Sequence, residues 1–209
     1  MYLRRMWLIG WIAGGVLLTG CGASPERRAR EGMRHLDAGR PKEAAAGLEG
    51  AVASPGAPAE WWYRLGVAYR RLGRYGDMER AWQSALQADP AHAPSHHGLG
   101  VVRALEHRYD EADGHLTQAL AALPDDPLAL ANRGRTRVAA GRIEEGMEDL
   151  RRSLEIDPDG PSALEAFGEG YLASGKPDEA VIVWARLQQA DPVRAAALRT
   201  RIDAVAPVR

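Results

Sequence analysis

Residues 59–92 read AEWWYRLGVAYRRLGRYGDMERAWQSALQADPAH, and the residue types of this stretch recur every 34 residues in five successive units. A glycine stands at the eighth place of every unit, and a second glycine follows seven places later, except where His107 replaces it. A fixed period of this length is typical of stacked repeats, whose units bury their apolar faces against their neighbours. The repeated glycines are Gly32, Gly66, Gly100, Gly134 and Gly168, then Gly39, Gly73, Gly141 and Gly175; the closing prolines are Pro90, Pro124, Pro158 and Pro192, with Pro55 one place early.

The second unit carries a recognisable signature. Trp62, Leu65, Gly66 and Tyr69 follow the spacing W-x2-L-G-x2-Y, so the chain resembles the tetratricopeptide-repeat (TPR) family. That resemblance implies an all-α fold, a TPR α-solenoid of five helix-turn-helix repeats plus a C-terminal capping helix. The repeats are expected over residues 25–192, in units 25–58, 59–92, 93–126, 127–160 and 161–194, and the capping helix and tail over 193–209.

Local signals predict where the helices end. The second glycine of each unit tolerates a left-handed backbone and should end the first helix, and the closing proline should stop the second helix. The last segment is expected to cap the array because its apolar residues can cover the fifth unit, while its arginines face water. The covering residues are predicted to be Val193, Ala197, Ile202 and Val205, and the solvated ones Arg194, Arg199 and Arg201.

The N-terminus has the pattern of an export signal. Arg4 and Arg5 precede an apolar stretch at 7–17, and small residues follow it; this order describes a secretory signal rather than a membrane span. Leu18-Thr19-Gly20-Cys21 resembles a bacterial lipobox, which implies a signal peptide over 1–20, lipidation of Cys21 and a short tether over 21–24. A plain signal peptide is the alternative, and the paired arginines leave twin-arginine export open.

Anchoring and location follow from the lipobox. Several acyl chains make membrane attachment stable. The resemblance to lipoproteins implies that an aspartate after the lipidated cysteine would favour the inner membrane, and this chain has Gly22 there. We therefore expect a lipid anchor in the outer membrane, facing the periplasm.

Composition excludes several function classes. Without Arg4 and Arg5 the chain has 25 basic against 28 acidic residues. This balance gives no electrostatic reason to expect that the protein binds nucleic acid. Cys21 is the only cysteine, so no disulfide is available. His92, His96 and His97 lie close together, but no cysteine or well-spaced acid completes a metal shell. No phosphate loop or nucleophile motif is present. We expect no metal, no cofactor and no catalytic residue, hence not an enzyme.

The candidate site is a groove. In the TPR family the first helix of each unit lines a concave surface, which implies that other proteins bind there. Carried over by register, the groove is predicted to contain Tyr63, Arg64, Val67, Arg70, Arg71, His97, Asn132 and Arg135. Aromatic rings and the paired N–H donors of arginine can bind an extended acidic or carboxylate-bearing segment of another protein. Arg103 and Arg137 could reach the same surface by snorkelling. The alternative is that these charges serve only solubility.

Two functions remain open at this point. The first is a membrane-anchored scaffold or adaptor in bacterial cell-envelope assembly, of the pilus, secretin or outer-membrane type. The second is an accessory or regulatory subunit of an envelope polysaccharide or peptidoglycan enzyme system. Repeat folds serve many unrelated processes, so the fold alone does not choose between them.

Overall fold

The computed structural model describes residues 23–205, and this part of the chain consists of eleven α-helices without a β-strand. Ten helices form five pairs, and the first helices of the pairs begin at steps of 34 residues. The predicted all-α solenoid with a closing helix is confirmed. The pairs, called units 1 to 5 below, are α1 (Pro25–Asp37) with α2 (Pro41–Val52), α3 (Ala59–Arg71) with α4 (Tyr75–Ala88), α5 (Ala93–Leu105) with α6 (Tyr109–Ala122), α7 (Pro127–Ala139) with α8 (Ile143–Ile156), and α9 (Pro161–Ala173) with α10 (Pro177–Ala190); α11 (Pro192–Val205) closes the array.

Short left-handed turns join the two helices of each unit. Gly39, Gly73, Gly141 and Gly175 have φ between 70° and 83° at these turns, a conformation that glycine adopts without a steric penalty. His107 takes the same place in unit 3 with φ 60°. It is the one non-glycine residue with positive φ in the described part of the chain, and its ring nitrogen Nδ1 lies 2.8 Å from the Tyr109 hydroxyl.

The eighth-place glycines let the two helices of a unit approach closely. A Cβ at Gly134 would lie 2.6 Å from Leu150 Cγ, and one at Gly100 would lie 2.7 Å from Leu116 Cγ. In unit 2 the same space is filled by Trp82, whose Nε1 donates to the Tyr63 carbonyl at 3.2 Å. In units 1 to 4 the sequence period therefore corresponds to one repeated contact between the helices of a pair, whereas in unit 5 Gly168 meets Leu198 of the closing helix α11.

The closing helix α11 packs on unit 5 through a different face from the one that the sequence analysis predicted. Ala195, Leu198 and Ile202 are buried, whereas Val193 is 82% exposed and Val205 is 55% exposed. Ala197 is also exposed, so of the predicted covering residues only Ile202 is buried. Arg194 and Arg201 do not simply face water, because they pair with Glu165 and Glu169 of α9. Ala195, Leu198 and Ile202 stand at i, i+3 and i+7 and therefore share one helix face, and this face carries the two larger apolar side chains, Leu198 and Ile202.

None of the helices within residues 23–205 is both long and apolar enough to span a bilayer. Cys21 and the predicted signal peptide lie outside the described residues.

Candidate functional site

The first helices of the units form one side of the solenoid. α7 packs against both α5 and α9, and α9 packs against α11. In the described chain, the second helices of neighbouring units make at most a glancing contact with each other. From α5 onward the first helices therefore lie closer together than the second helices do, which identifies their side as the inner, concave face.

A cavity of about 500 Å³ opens on this concave face across units 3 to 5. Its apolar wall includes Val101 and Ala104, together with Leu105, whose side chain is 77% exposed. Its polar wall comes from α7, α9 and the turn of unit 3. An exposed leucine beside polar groups is an amphipathic surface of the kind that binding sites use. The remaining residues that line it are His107, Tyr109, Asn132, Arg135, Thr136, Ala139, Glu165, Glu169 and Arg201.

The charges inside the cavity are already paired. Arg135 Nη2 donates to Glu165 Oε2 at 3.1 Å and to the Ser162 carbonyl at 3.0 Å. Arg194 donates to the same Glu165 oxygen at 2.8 Å, and Arg201 pairs with Glu169. The concave cavity is thus balanced in charge rather than basic.

The predicted groove residues do not all meet at one place. Asn132 and Arg135 line the cavity, and His97 lies beside it because its Nε2 is 2.7 Å from Asn132 Nδ2. The five predicted residues of unit 2 are absent from its lining. Val67 is 9% exposed and belongs to the apolar core. The prediction that it lines the groove is therefore wrong, because this apolar side chain is buried between helices.

Three of the four polar residues predicted in unit 2 are occupied by other contacts within the chain. Tyr63 stacks on Trp82 with ring centroids 6.2 Å apart. Arg64 Nε donates to Glu60 Oε1 at 2.5 Å, and this hydrogen bond raises the pKa of the Arg64 guanidinium. Arg71 Nη1 donates to the Leu36 carbonyl at 2.5 Å, which ties unit 2 to the end of α1. Arg70 is exposed.

Arg103 and Arg137 point away from the groove, contrary to expectation. Arg103 is 8% exposed and pairs with Glu79 of the preceding unit. Arg137 is held by Asp113 of α6 and Asp149 of α8. Both arginines lie between the helix layers because each finds a carboxylate there.

Several residues of the cavity were missed by sequence reasoning. His107 and Tyr109 reach it through the unit 3 turn, and Thr136 and Ala139 through the last turn of α7. The replacement of the repeated glycine by His107 is the sequence feature that could have indicated this turn as part of the site. Arg201 could not have been found from the repeat, because it belongs to the closing helix outside the period.

Among residues 23–205, no group of three or more His, Cys, Asp or Glu side chains is arranged to hold a metal ion. The three clustered histidines have separate partners instead. His92 Nδ1 is 2.9 Å from Ser95 Oγ, His96 Nδ1 is 3.0 Å from His115 Nδ1, and His97 contacts Asn132.

Solved structures with the same arrangement of helices support the fold. The structure of PilW, a widely conserved type IV pilus biogenesis factor, matches 87% of this chain and 85% of its own at 19% identity, with a TM-score of 0.76. MamA from Desulfovibrio magneticus RS-1, residues 41 to the end, matches 82% of this chain and 97% of its own at 21% identity, with a TM-score of 0.71. At these identities the likeness concerns the fold alone. No curated protein sequence matches this chain.

The sequence pattern of the Tetratricopeptide repeat family matches residues 30–94 and 99–161. These two stretches make up more than half of the chain, and they cover most of units 1 to 4. This chain belongs to the tetratricopeptide-repeat family.

Proposed function

We propose that this chain is a protein-binding adaptor of the bacterial cell envelope that acts by binding rather than by catalysis. The observation that carries the proposal is the open cavity on the concave face, where the 77% exposed Leu105 stands beside the polar side chains of Asn132 and Arg135. An aliphatic side chain next to an amide and a guanidinium group can bind a peptide segment through both its apolar and its polar side chains.

The proposed ligand is an extended segment of another protein that presents an apolar side chain and a carboxylate. Leu105 and Ala139 offer apolar surface in the cavity. Arg135 has only its Nη2 engaged in hydrogen bonds among the described residues, so Nη1 remains available to a carboxylate. A charge-assisted hydrogen bond from Nη1 can hold a carboxylate, so a segment with an acidic residue close to an apolar one fits this place.

Membrane attachment through a lipid on Cys21, in the outer membrane and facing the periplasm, is part of the proposal. It is supported by the lipobox-like Leu18-Thr19-Gly20-Cys21, which stands only a few residues before α1. PilW, whose title describes it as a pilus biogenesis factor, has a similar fold, and that likeness favours envelope assembly over the accessory-subunit alternative.

In vivo photo-crosslinking tests the proposed surface. A photoreactive amino acid at Leu105 is expected to give adducts with another protein, and the same residue at Ile182 serves as the matched control. Ile182 is 68% exposed on α10, a second helix. Adducts from position 182 with none from position 105 would place the partner on the outer face and overturn the proposed site.

A further inference from the structure

The backbone is held in place from Ala23 onward, two residues after the proposed lipid-bearing cysteine. Arg28 Nε donates to the Ala23 carbonyl at 2.8 Å, and Arg28 Nη1 donates to the Gly50 carbonyl at 2.7 Å. Ser24 caps α1, because its Oγ accepts a hydrogen bond from the Arg27 backbone N–H at 3.3 Å. These contacts tie the start of α1 to the last turn of α2. We call residues 23–28 together with residues 50–56 the unit 1 end.

The clamp made by Arg28 is specific to unit 1. A Cβ at Gly50 would lie 3.2 Å from Arg28 Cδ, so a glycine at this place leaves room for the arginine to cross the end of α2. In units 2 to 5 the same repeat position is wholly or partly buried and carries no residue of this kind. The residues there are Trp62, His96, Leu130 and Leu164.

Little free chain remains between the proposed anchor and the solenoid. Cys21 stands two residues before Ala23, so their Cα atoms are at most about 7 Å apart. The polar headgroup layer on each side of a bilayer is about 5–8 Å thick. A lipid on Cys21 therefore brings Ala23, and with it the unit 1 end, into the headgroup layer or directly against it.

So short a connection allows the solenoid to stand on the unit 1 end or to lie along the edge at which its first helices begin. The connections between units lie at that edge. Residues 53–58, which follow unit 1, are uncharged, whereas every later connection contains aspartate. Arginines pair with three of these aspartates, and the other three have no cationic partner within residues 23–205. The aspartates are Asp89, Asp125, Asp126, Asp157, Asp159 and Asp191.

The charge of the whole array has the same asymmetry. Residues 23–58 contain six basic and five acidic residues, whereas residues 59–205 contain 18 basic and 23 acidic residues. Glu26 and Arg27, the exposed charges nearest to Ala23, offset each other. A surface of anionic lipids repels negative charge within about 8–10 Å. It therefore opposes the edge of units 2 to 5 and tolerates the unit 1 end.

On the basis of the lipid anchor proposed above, we infer that the unit 1 end is a membrane-contact surface. It lies in the headgroup layer of an anionic bilayer, and the solenoid stands on it with units 2 to 5 directed away. Packed helices lie about 8–10 Å apart, and α5 to α9 follow α1 by two to four units. The cavity of units 3 to 5 is thus held on the order of 20–40 Å from the headgroups, where a partner can reach it from the aqueous side.

Fluorescence quenching in vesicles tests this orientation. The full chain, with its acyl chains confirmed by mass spectrometry, is placed in vesicles of phosphatidylethanolamine and phosphatidylglycerol. Because the proposed lipid occupies the sulfur of Cys21, the only cysteine, a fluorophore can be attached to Ala53→Cys or to Ala121→Cys. Both alanines are exposed and occupy the same repeat position, in units 1 and 3. With a nitroxide on the lipid headgroups, we expect the emission at position 53 to fall to at most about half of that at position 121.

A longer connection provides the matched control. Ten Gly and Ser residues inserted between Gly22 and Ala23 add about 17 Å of flexible chain and leave the contacts of Arg28 intact. The difference between positions 53 and 121 should then disappear. If it persists, the short connection does not set the orientation and the inference is wrong.

Two further results would overturn the membrane-contact surface. Equal quenching at positions 53 and 121 would show that the solenoid lies along its edge, and no quenching at either position would show that it stays clear of the headgroups. Both results would leave the lipid anchor standing, since the protein is acylated. Purified protein without acyl chains would instead refute the anchor of the proposed function, and this inference with it.

Discussion

Arg137 Nε donates to Asp113 Oδ1 at 2.7 Å and thereby joins the first helix of unit 4 to the second helix of unit 3. Arg103 makes the corresponding contact to Glu79 one unit earlier. Tyr69, at the same place in unit 2, donates its hydroxyl to Glu49 Oε1 at 2.8 Å. At three successive unit boundaries, the side chain at the same repeat position therefore donates a hydrogen bond to an acidic residue of the preceding unit. A tyrosine makes this contact at one boundary and an arginine at the other two.

Arg137→Leu should destabilise the chain by about 2–4 kcal/mol, because it leaves the largely buried carboxylates of Asp113 and Asp149 with fewer partners. Urea unfolding followed by circular dichroism measures the change. Arg151→Leu is the matched control, since Arg151 is 53% exposed and, among the described residues, pairs only with Glu148 on its own helix. Its expected cost is below about 1 kcal/mol, and equal costs for both variants would show that the contact across the unit boundary contributes nothing.

Gly134→Ala should destabilise by about 1–3 kcal/mol through overpacking. A Cβ at this place would lie 2.7 Å from the Gly146 carbonyl oxygen, which cannot move aside as a side chain can. Gly114→Ala offers the opposite case, because a Cβ there meets nothing within 4 Å inside helix α6. It should stabilise by about 0.5–1 kcal/mol. Thermal unfolding of both variants checks the predicted difference in sign.

Leu198→Ala should cost about 2–5 kcal/mol, because Leu198 is 1% exposed and covers Gly168 of unit 5. Val193→Ala, on the same helix but 82% exposed, should change the free energy of unfolding by no more than about 0.5 kcal/mol. The comparison by urea unfolding decides whether α11 caps the array through its Ala195–Leu198–Ile202 face. A larger effect at Val193 would restore the orientation first predicted from the sequence.

Cys21→Ser should release the protein from the membrane fraction, because the proposed lipid on its sulfur is the anchor. Metabolic labelling with a fatty acid, followed by fractionation of cell membranes, measures both the acylation and the attachment. Acyl chains that persist in the Cys21→Ser protein would rule out lipidation at Cys21, and a wild-type chain without acyl chains would leave a plain export signal.

The sequence predicted the helix pairs well because their signals are local and repeated. The glycines at Gly39, Gly73, Gly141 and Gly175 end the first helices as expected, since a left-handed turn can be recognised from one residue type. The closing helix was harder, because α11 lies outside the period and the sequence alone did not show which of its faces meets unit 5.

The direction of the arginines could not be predicted from the sequence. Arg103 and Arg137 stand 24 residues after the acids that hold them, so nothing local marks the pairing. For the candidate site, the sequence correctly placed Asn132 and Arg135 on the concave face, where both line the cavity. It did not exclude Arg64 and Arg71, because an arginine that binds a partner and one that binds its own chain look alike in a sequence.

The measurement that tests the adaptor proposal most directly is the affinity of the purified full chain for the protein that it captures by crosslinking. Leu105→Glu with Ala139→Glu places two charges on exposed apolar positions of the cavity, and Ile182→Glu with Ala185→Glu does the same on α10. We predict at least about a tenfold loss of affinity for the first pair and none for the second. Unchanged affinity for the cavity pair, or a loss confined to the α10 pair, would contradict partner binding on the concave face.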